Sequence, residues 1–569
     1  MTPKEWLTEF LPAPDVAGKE QALKDFANYV NPQKVRVMRA AGLDIIETQR
    51  SGPWVWDADG RKFLDCFTSA GSFNVGRRHP RIIAAAKQAL DTLDHGNFLL
   101  CSRQKADLAH RLATLAPGDL SCTMFGTGGG EAIDFAIKLA RGATQRPTII
   151  STINGYHGHT GFALSAAGRT SFRAPFEPLM PEFVQVPFGD IEALNAAISE
   201  NTAAVLLEPI QGEGGIIVPP PEYLGQVRSA CDRVGALLIL DEIQTGLGRT
   251  GKWWASEHYD VTPDIMTTAK SLGGSVAPIS ATLFTEELRE FLIPNPFIHL
   301  STFGGSDLAC AVALEVLNVI EETDLVSHAA HMGRALFSGL DELAVKYPDV
   351  IQEVRGKGLM AGVQYTDDSM GPRMSYHLSQ HGVLAIYSGN QPSVMRLMPS
   401  LVVEESEIDL LLSALDGAIV DLQQGRGPSE DAKATRRRPV RTAASSSWCD
   451  MADWDEIAEA LVDYTKNCNT NERLRKMQRD WSRVLHFACS DSDVTFTMNV
   501  DHGEIISTAM GHAGAPDIVV TTTSETFCDM FWGDLNPVQK YLRGEIKVKG
   551  SQEDVMRLDA ISFVIWPDA

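Results

Sequence analysis

LLILDEIQTGLGRTG (237–251) and PDIMTTAKSLGG (263–274) decide the fold. The first opens as an unbroken apolar run and stops at Asp241, and the second passes through Ile265 and Met266 to Lys270. Continuous apolar runs of strand length suit parallel strands buried on both faces, with helices between them. TIIST (148–152) and AAVLLEP (203–209) repeat the pattern, separated by stretches with helical spacing. This alternation predicts an α/β fold, a doubly wound and mainly parallel sheet. Such sheets bind ligands beyond the carboxyl ends of their strands. Glu208 and Asp241 stand at such ends and are the first candidate site residues.

Working outward, MFGTGGGEAIDFAIKLAR (124–141) places a glycine run before a helix marked by Ile133, Ile137 and Ala140. Free amides and the helix dipole at such a start suit an anion. Trp54 to Asp65 (WVWDADGRKFLD) reads as a β-hairpin turning at Asp59-Gly60. Residues 425–447 (GRGPSEDAKATRRRPVRTAASSS) lack large apolar side chains and read as a flexible linker. The expected organisation is a main domain over 1–425, with its large part near 85–320, a linker over 426–450 and a second domain over 451–569. That second domain reads as two helices, strands at VTFTMNV (494–500) and PDIVVTTT (516–523), then helices.

The chain has 569 residues, 44% of them hydrophobic and 22% charged, which is the balance of a soluble globular protein rather than a disordered one. A net charge of −23 argues against nucleic acid or an anionic membrane as the main partner. No apolar run reaches the roughly 20 residues that span a bilayer. MTPKEWLTEF lacks the pattern of a secretory signal, and FVIWPDA lacks a peroxisomal address. The nine cysteines are scattered without a CxxC pair, which fits reduced thiols. A cytoplasmic enzyme is expected.

These motifs, in this order over roughly residues 30–425, resemble the signature of the class III aminotransferases, fold-type I enzymes that use pyridoxal 5′-phosphate (PLP). The resemblance implies a mainly parallel doubly wound sheet with a small α+β domain. It implies that Lys270 forms the Schiff base and shuttles a proton between substrate Cα and cofactor C4′. Asp241 would pair with the protonated ring nitrogen, and Gln244 would hydrogen-bond the ring hydroxyl. Tyr156, in YHGHT (156–160), would stack on the ring. Where the family pattern is similar to Asn-Ser-Gly-Thr-Glu-Ala, this chain has Thr127-Gly128-Gly129-Gly130-Glu131-Ala132. Phosphate binding would therefore fall to the amides of Gly129 and Gly130. Thr302, in HLSTFGG (299–305), would reach the phosphate in a neighbouring subunit, implying a homodimer with composite sites.

Substrate contacts follow from the same resemblance. Arg396, in MRLMPSL (395–401), matches the arginine that clamps a substrate carboxylate. Glu213, in EPIQGEGG (208–215), matches the glutamate that pairs with that arginine when an ω-amine is accommodated. Trp54 keeps an aromatic at the hairpin and is a candidate substrate contact, whereas Ala70 stands where ornithine-type enzymes carry one. Gly76-Arg77-Arg78-His79-Pro80 departs from the family's Gly-His-x-His-Pro. The extra arginines read either as a solvated pair or as a contact for a second anionic group. The expected activity is transfer of an amino group from an amine or ω-amino acid to a keto acid, through a pyridoxamine intermediate. The alternative is a PLP lyase eliminating ammonia or phosphate on the same scaffold. A lipid-binding protein with an inactive enzyme domain is a further alternative, against which Lys270, Asp241 and Gln244 count.

The segment beginning PDIVVTTTSETFCDMFW (516–532) and continuing to 561 resembles the sterol-carrier-protein-2 family. That resemblance implies a small α+β domain and an apolar, lipid-like ligand. Phe527, Met530, Phe531 and Trp532 read equally as the lining of a tunnel or as a filled core.

Overall fold

The computed structural model describes residues 16–426 and 454–532, with 540–541, 544–551, 553–554 and 557–558. The linker expected at 426–450 lies, after Arg426, outside them. The chain divides into two compact units, Met1–Thr435 and Arg436–Ala569.

The strands of the first unit are β1 (Glu47–Ser51), β2 (Trp54–Asp57), β3 (Lys62–Asp65), β4 (Cys122–Gly126), β5 (Thr148–Thr152), β6 (Phe183–Val186), β7 (Thr202–Leu207), β8 (Leu237–Asp241), β9 (Ile265–Thr268) and β10 (Ser280–Phe284). They continue with β11 (Ile351–Lys357), β12 (Met360–Tyr365), β13 (Val383–Leu384), β14 (Ile386–Tyr387) and β15 (Val394–Leu397). The central sheet has seven strands in the order β4-β10-β9-β8-β7-β5-β6. β9, β8, β7, β5 and β6 run parallel, and β10 is antiparallel to both its neighbours.

Period-two alternation sorts the apolar runs onto two faces. Ile149, Ala204, Leu206 and Ile239 meet Ile133 and Ile137 of the helix Gly129–Thr144. Ile150, Val205, Leu207, Leu238 and Leu240 meet Leu224 and Val227 of the helix Tyr223–Val234. Burial on both faces explains why these strands read as unbroken runs. Gly235 ends the second helix with φ +67°, and the Ala236 amide bonds back to the Cys231 carbonyl, turning the chain into β8.

β2 and β3 form the expected hairpin, and β1 extends it. Gly60 takes φ +79° in the turn, where the Asp57 carboxylate accepts the Asp59 and Arg61 amides. A second four-stranded sheet, β11-β12-β15-β14, carries Arg396 on β15.

The second unit has helices Trp454–Thr470 and Glu472–Gln478, then β16 (Arg483–Cys489), β17 (Thr495–Asp501), β18 (Glu504–Met510) and β19 (Ile518–Thr522), the helix Ser524–Trp532, and β20 (Lys547–Lys549). Its sheet order is β18-β17-β16-β19-β20, so the middle strand is RVLHFAC, which the sequence reading passed over. Phe487 and Phe496 from the strands stack at 4.6 Å and meet Phe527 and Phe531 of the helix edge-on. Met530 packs against the same core at its margin. Among the described residues, no helix is long and apolar enough to cross a membrane.

Candidate active site

Parallel strands deliver their carboxyl ends to one edge of the sheet, and the polar residues follow there. Asp241 closes β8, Glu208 follows β7, Tyr156 and His157 follow β5, and Lys270 begins the turn after β9. They line one cavity of about 450 Å³. Lys270 takes φ +43°, left-handed backbone that a non-glycine residue holds only where its surroundings impose it.

Asp241 is buried and receives three groups. His157 Nδ1 lies 2.8 Å from Oδ2, while the Ile243 amide and the Thr267 hydroxyl donate to Oδ1 at 3.1 and 3.4 Å. Burial opposes charge on His157, yet the hydrogen bond and charge of Asp241, with Glu208 nearby, carry its pKa above the ordinary histidine value. Burial pushes the Lys270 ammonium below its ordinary range; Glu213 and Asp241 oppose that, and Arg396 adds to it. Among the described residues, His157 Nε2 and Gln244 Oε1 are buried without a hydrogen-bond partner, although Gln244 Nε2 donates to the Ala70 carbonyl at 3.1 Å. Two orphaned polar atoms beside one cavity are costly unless something fills it.

The helix Gly129–Thr144 starts on Gly128 with no side-chain cap, so its first-turn amides face the cavity unpaired by the helix itself. The Thr127 hydroxyl is turned away, donating to Glu131 Oε2 at 2.8 Å. A Cβ on Gly130 would lie 2.8 Å from Thr160 Oγ1, and one on Gly158 would lie 3.0 Å from the Gly130 Cα. The YHGHT segment therefore folds back onto the helix start and brings the Thr160 hydroxyl beside it. Sequence reading missed Thr160 and His157, although both stand in the motif that it singled out.

Arg396 and Glu213, expected as partners, meet as a part-buried ion pair between Arg396 NH1 and Glu213 Oε1. Other expected residues lie elsewhere. Trp54 packs against the core with Lys62 Nζ 3.6 Å above its ring, and it does not line the cavity. Thr302 is exposed and likewise does not line it.

Arg77 corrects the sequence reading. It is neither solvated nor open to a ligand: Nε donates to Asp65 at 2.8 Å, the two terminal nitrogens donate to Glu47 at 2.9 and 3.0 Å, and the side chain is 7% exposed. Arg78 is exposed. The feature that pointed to an anionic leaving group is, at Arg77, an internal ion pair.

The sequence profile of the family described as Aminotransferase class-III matches residues 38–419. The chain belongs to that family. An uncharacterized aminotransferase of Archaeoglobus fulgidus is 49% identical over 409 residues, covering 72% of this chain and 96% of that one. Ornithine aminotransferase from Toxoplasma gondii superposes with a TM-score of 0.67 at 30% identity, covering 74% of this chain and 98% of that one. An (S)-enantioselective ω-transaminase from Thermomicrobium roseum gives 0.67 at 31%, covering 72% and 99%. The profile of the SCP-2 sterol transfer family matches residues 464–562.

This class III aminotransferase is a PLP enzyme of fold type I, and its cavity fits the cofactor. A buried carboxylate suits a ring N–H, the orphaned Gln244 Oε1 suits a hydroxyl, the open helix start suits a phosphate, and an amine with a lowered pKa stands in the same cavity.

Proposed function

We propose that this aminotransferase moves an amino group from an amine or ω-amino acid to a keto acid, using one pocket that is switched between two settings by Glu213. The Arg396–Glu213 contact carries the reading. With Glu213 in place the guanidinium is neutralised, and the pocket suits a donor with no carboxylate beside its reacting carbon. With Glu213 displaced, Arg396 offers a fork to the carboxylate of a keto acid. The ornithine aminotransferase and ω-transaminase neighbours support an ω-amine donor.

Bound PLP supplies an aldehyde carbon that condenses with amines and a cationic ring that accepts an electron pair. Lys270 would anchor it covalently and would serve as the base whose Nζ takes the substrate Cα proton. Its lowered pKa suits that task. Asp241 would hold the ring proton, and His157, with Nδ1 2.8 Å from Asp241 Oδ2, keeps that carboxylate oriented. Gly129 and Gly130 would hold the phosphate through their amides, Gln244 would take the ring hydroxyl, and Tyr156 would stack on the ring.

Two copies form the working enzyme in this reading, with Thr302 of each serving the phosphate held by the other, and the cytoplasm is its place. Exposed apolar side chains on either side of Thr302 in the chain support a partner surface there: Phe297 and Phe303 are 65% and 55% exposed. The C-terminal unit takes an apolar ligand, as its family match supports; the four phenylalanines between sheet and helix would part to admit one.

The test is Glu213→Gln. With the charge of Arg396 left uncompensated, donors lacking a carboxylate there suffer most. The ratio of kcat/KM for alanine to that for 5-aminopentanoate, read from the cofactor absorption in each half-reaction, is expected to rise about tenfold, or ~1.4 kcal/mol. An unchanged ratio would remove the switch.

A further inference from the structure

Glu208 has no role in the reading above, yet it spans the crevice where the chain reverses its winding. After β5 the connection passes over the face that holds Ala163 and Ala166; after β7 it passes over the opposite face, which holds Leu224 and Val227. β5 and β7 are neighbours, so their loops part in opposite directions at this point of the sheet. Glu208 bridges the gap. Its Oε1 accepts the Tyr156 amide at 3.0 Å and its Oε2 accepts the Gly212 amide at 2.9 Å, with the residue 5% exposed.

The two amides belong to segments with different duties. Tyr156 borders the cavity, and Gly212 immediately precedes Glu213. Gln211 Nε2 crosses the same gap, donating to the Ile153 carbonyl, while Asn390 Nδ2, from the segment after β14, donates to the Asn154 carbonyl, both at 2.9 Å. Neither contact is to Tyr156 itself, whose amide bonds to Glu208.

We propose that Glu208 is a positioning residue that locks Tyr156 and Glu213 into one unit, so that the setting of the Glu213 switch is felt at the cofactor face. The inference rests on the switch reading of Glu213. A carboxylate accepts from two amides at once, whereas a carboxylic acid or carboxamide turns a donor toward one of them. Burial pushes Glu208 up to about 7; His157 and the two amides oppose this and Asp241 adds to it. Tyr156 and Lys270 also stand within its field. The lock is closed while Glu208 is ionised and opens as the pH falls through that value.

A double-variant cycle on the full-length holoenzyme tests this, reading kcat/KM of the alanine half-reaction from the cofactor absorption at pH 8 and pH 6. Tyr156→Phe and Glu213→Gln are measured singly and together, in the parent and in Glu208→Gln. Glu208→Asp, whose shorter arm cannot reach both amides, repeats the measurement in case the carboxamide disturbs folding. In the parent at pH 8 the combined effect is expected to differ from the product of the single effects by about threefold or more. That difference is expected to fall within about 1.5-fold at pH 6, and at both pH values in either Glu208 variant. A difference that survives in the Glu208 variants, or strict multiplicativity in the parent at pH 8, overturns the lock. An unchanged donor ratio in Glu213→Gln alone overturns the switch instead, because the cycle is read from rates and not from discrimination.

Discussion

Asp241 and Arg77 are both charged side chains inside the protein, held there by different surroundings. Asp241 lies among donors, with His157 bonded to it and the Ile243 amide and Thr267 hydroxyl beside it. His157, its pKa raised in the folded state, adds stability at low pH that is lost as pH rises through its folded value. Arg77 is held by two carboxylates and lies 4.2 Å over the Phe73 ring. Glu47 also pairs with Arg50, but removing Arg77 leaves the buried Asp65 carboxylate without its cation, which costs about 3–5 kcal/mol. Arg77→Ala is therefore expected to lower unfolding free energy by about that amount in urea, with the KM for every donor unchanged within about twofold. Unchanged stability together with a raised KM for an anionic donor would return Arg77 to the substrate.

At the scale of elements, the glycine run is best understood against the YHGHT turn that packs on it. Gly130 lacks room for a side chain because Thr160 occupies it, and Gly158, at φ +122°, approaches the Gly130 backbone closely. Gly128 differs, since a Cβ there would meet nothing within 4 Å and its φ is −151°, extended backbone open to any residue. Gly130→Ala is expected to displace the turn and weaken PLP retention about tenfold, or ~1.4 kcal/mol, measured by equilibrium dialysis with absorbance. Gly128→Ala should leave retention within about twofold. Equal losses in both would mean that the cofactor senses added bulk anywhere along the run and not the Gly130–Thr160 contact.

At the scale of the whole molecule, each unit has its own core. The clusters around Ile133, Leu224 and Val316 draw only on the first unit, and that around Phe496 only on the second. Deleting 440–569 is accordingly expected to leave a soluble protein that binds one PLP per chain, counted from the absorbance of the released cofactor. Insoluble protein, or loss of the cofactor, would tie the first unit's integrity to the second. The sequence by itself determined the central strands and the polar residues ending them, because continuous apolar runs and the charges that stop them are local properties. Lys270, Asp241 and Glu208 were legible for that reason, and Gln244 through its motif. Contacts across strands depend on sheet order, which local periodicity does not encode. Only the tertiary structure decided that His157 reaches Asp241, that Glu208 bridges Tyr156 and Gly212, and that the Thr160 hydroxyl stands beside the glycine run. It also decided that Arg77, apparently free beside Arg78, is enclosed by Asp65 from β3 and Glu47 from β1. A charge's partners come from whichever strands the fold lays next to it, and for these residues those strands are distant in sequence.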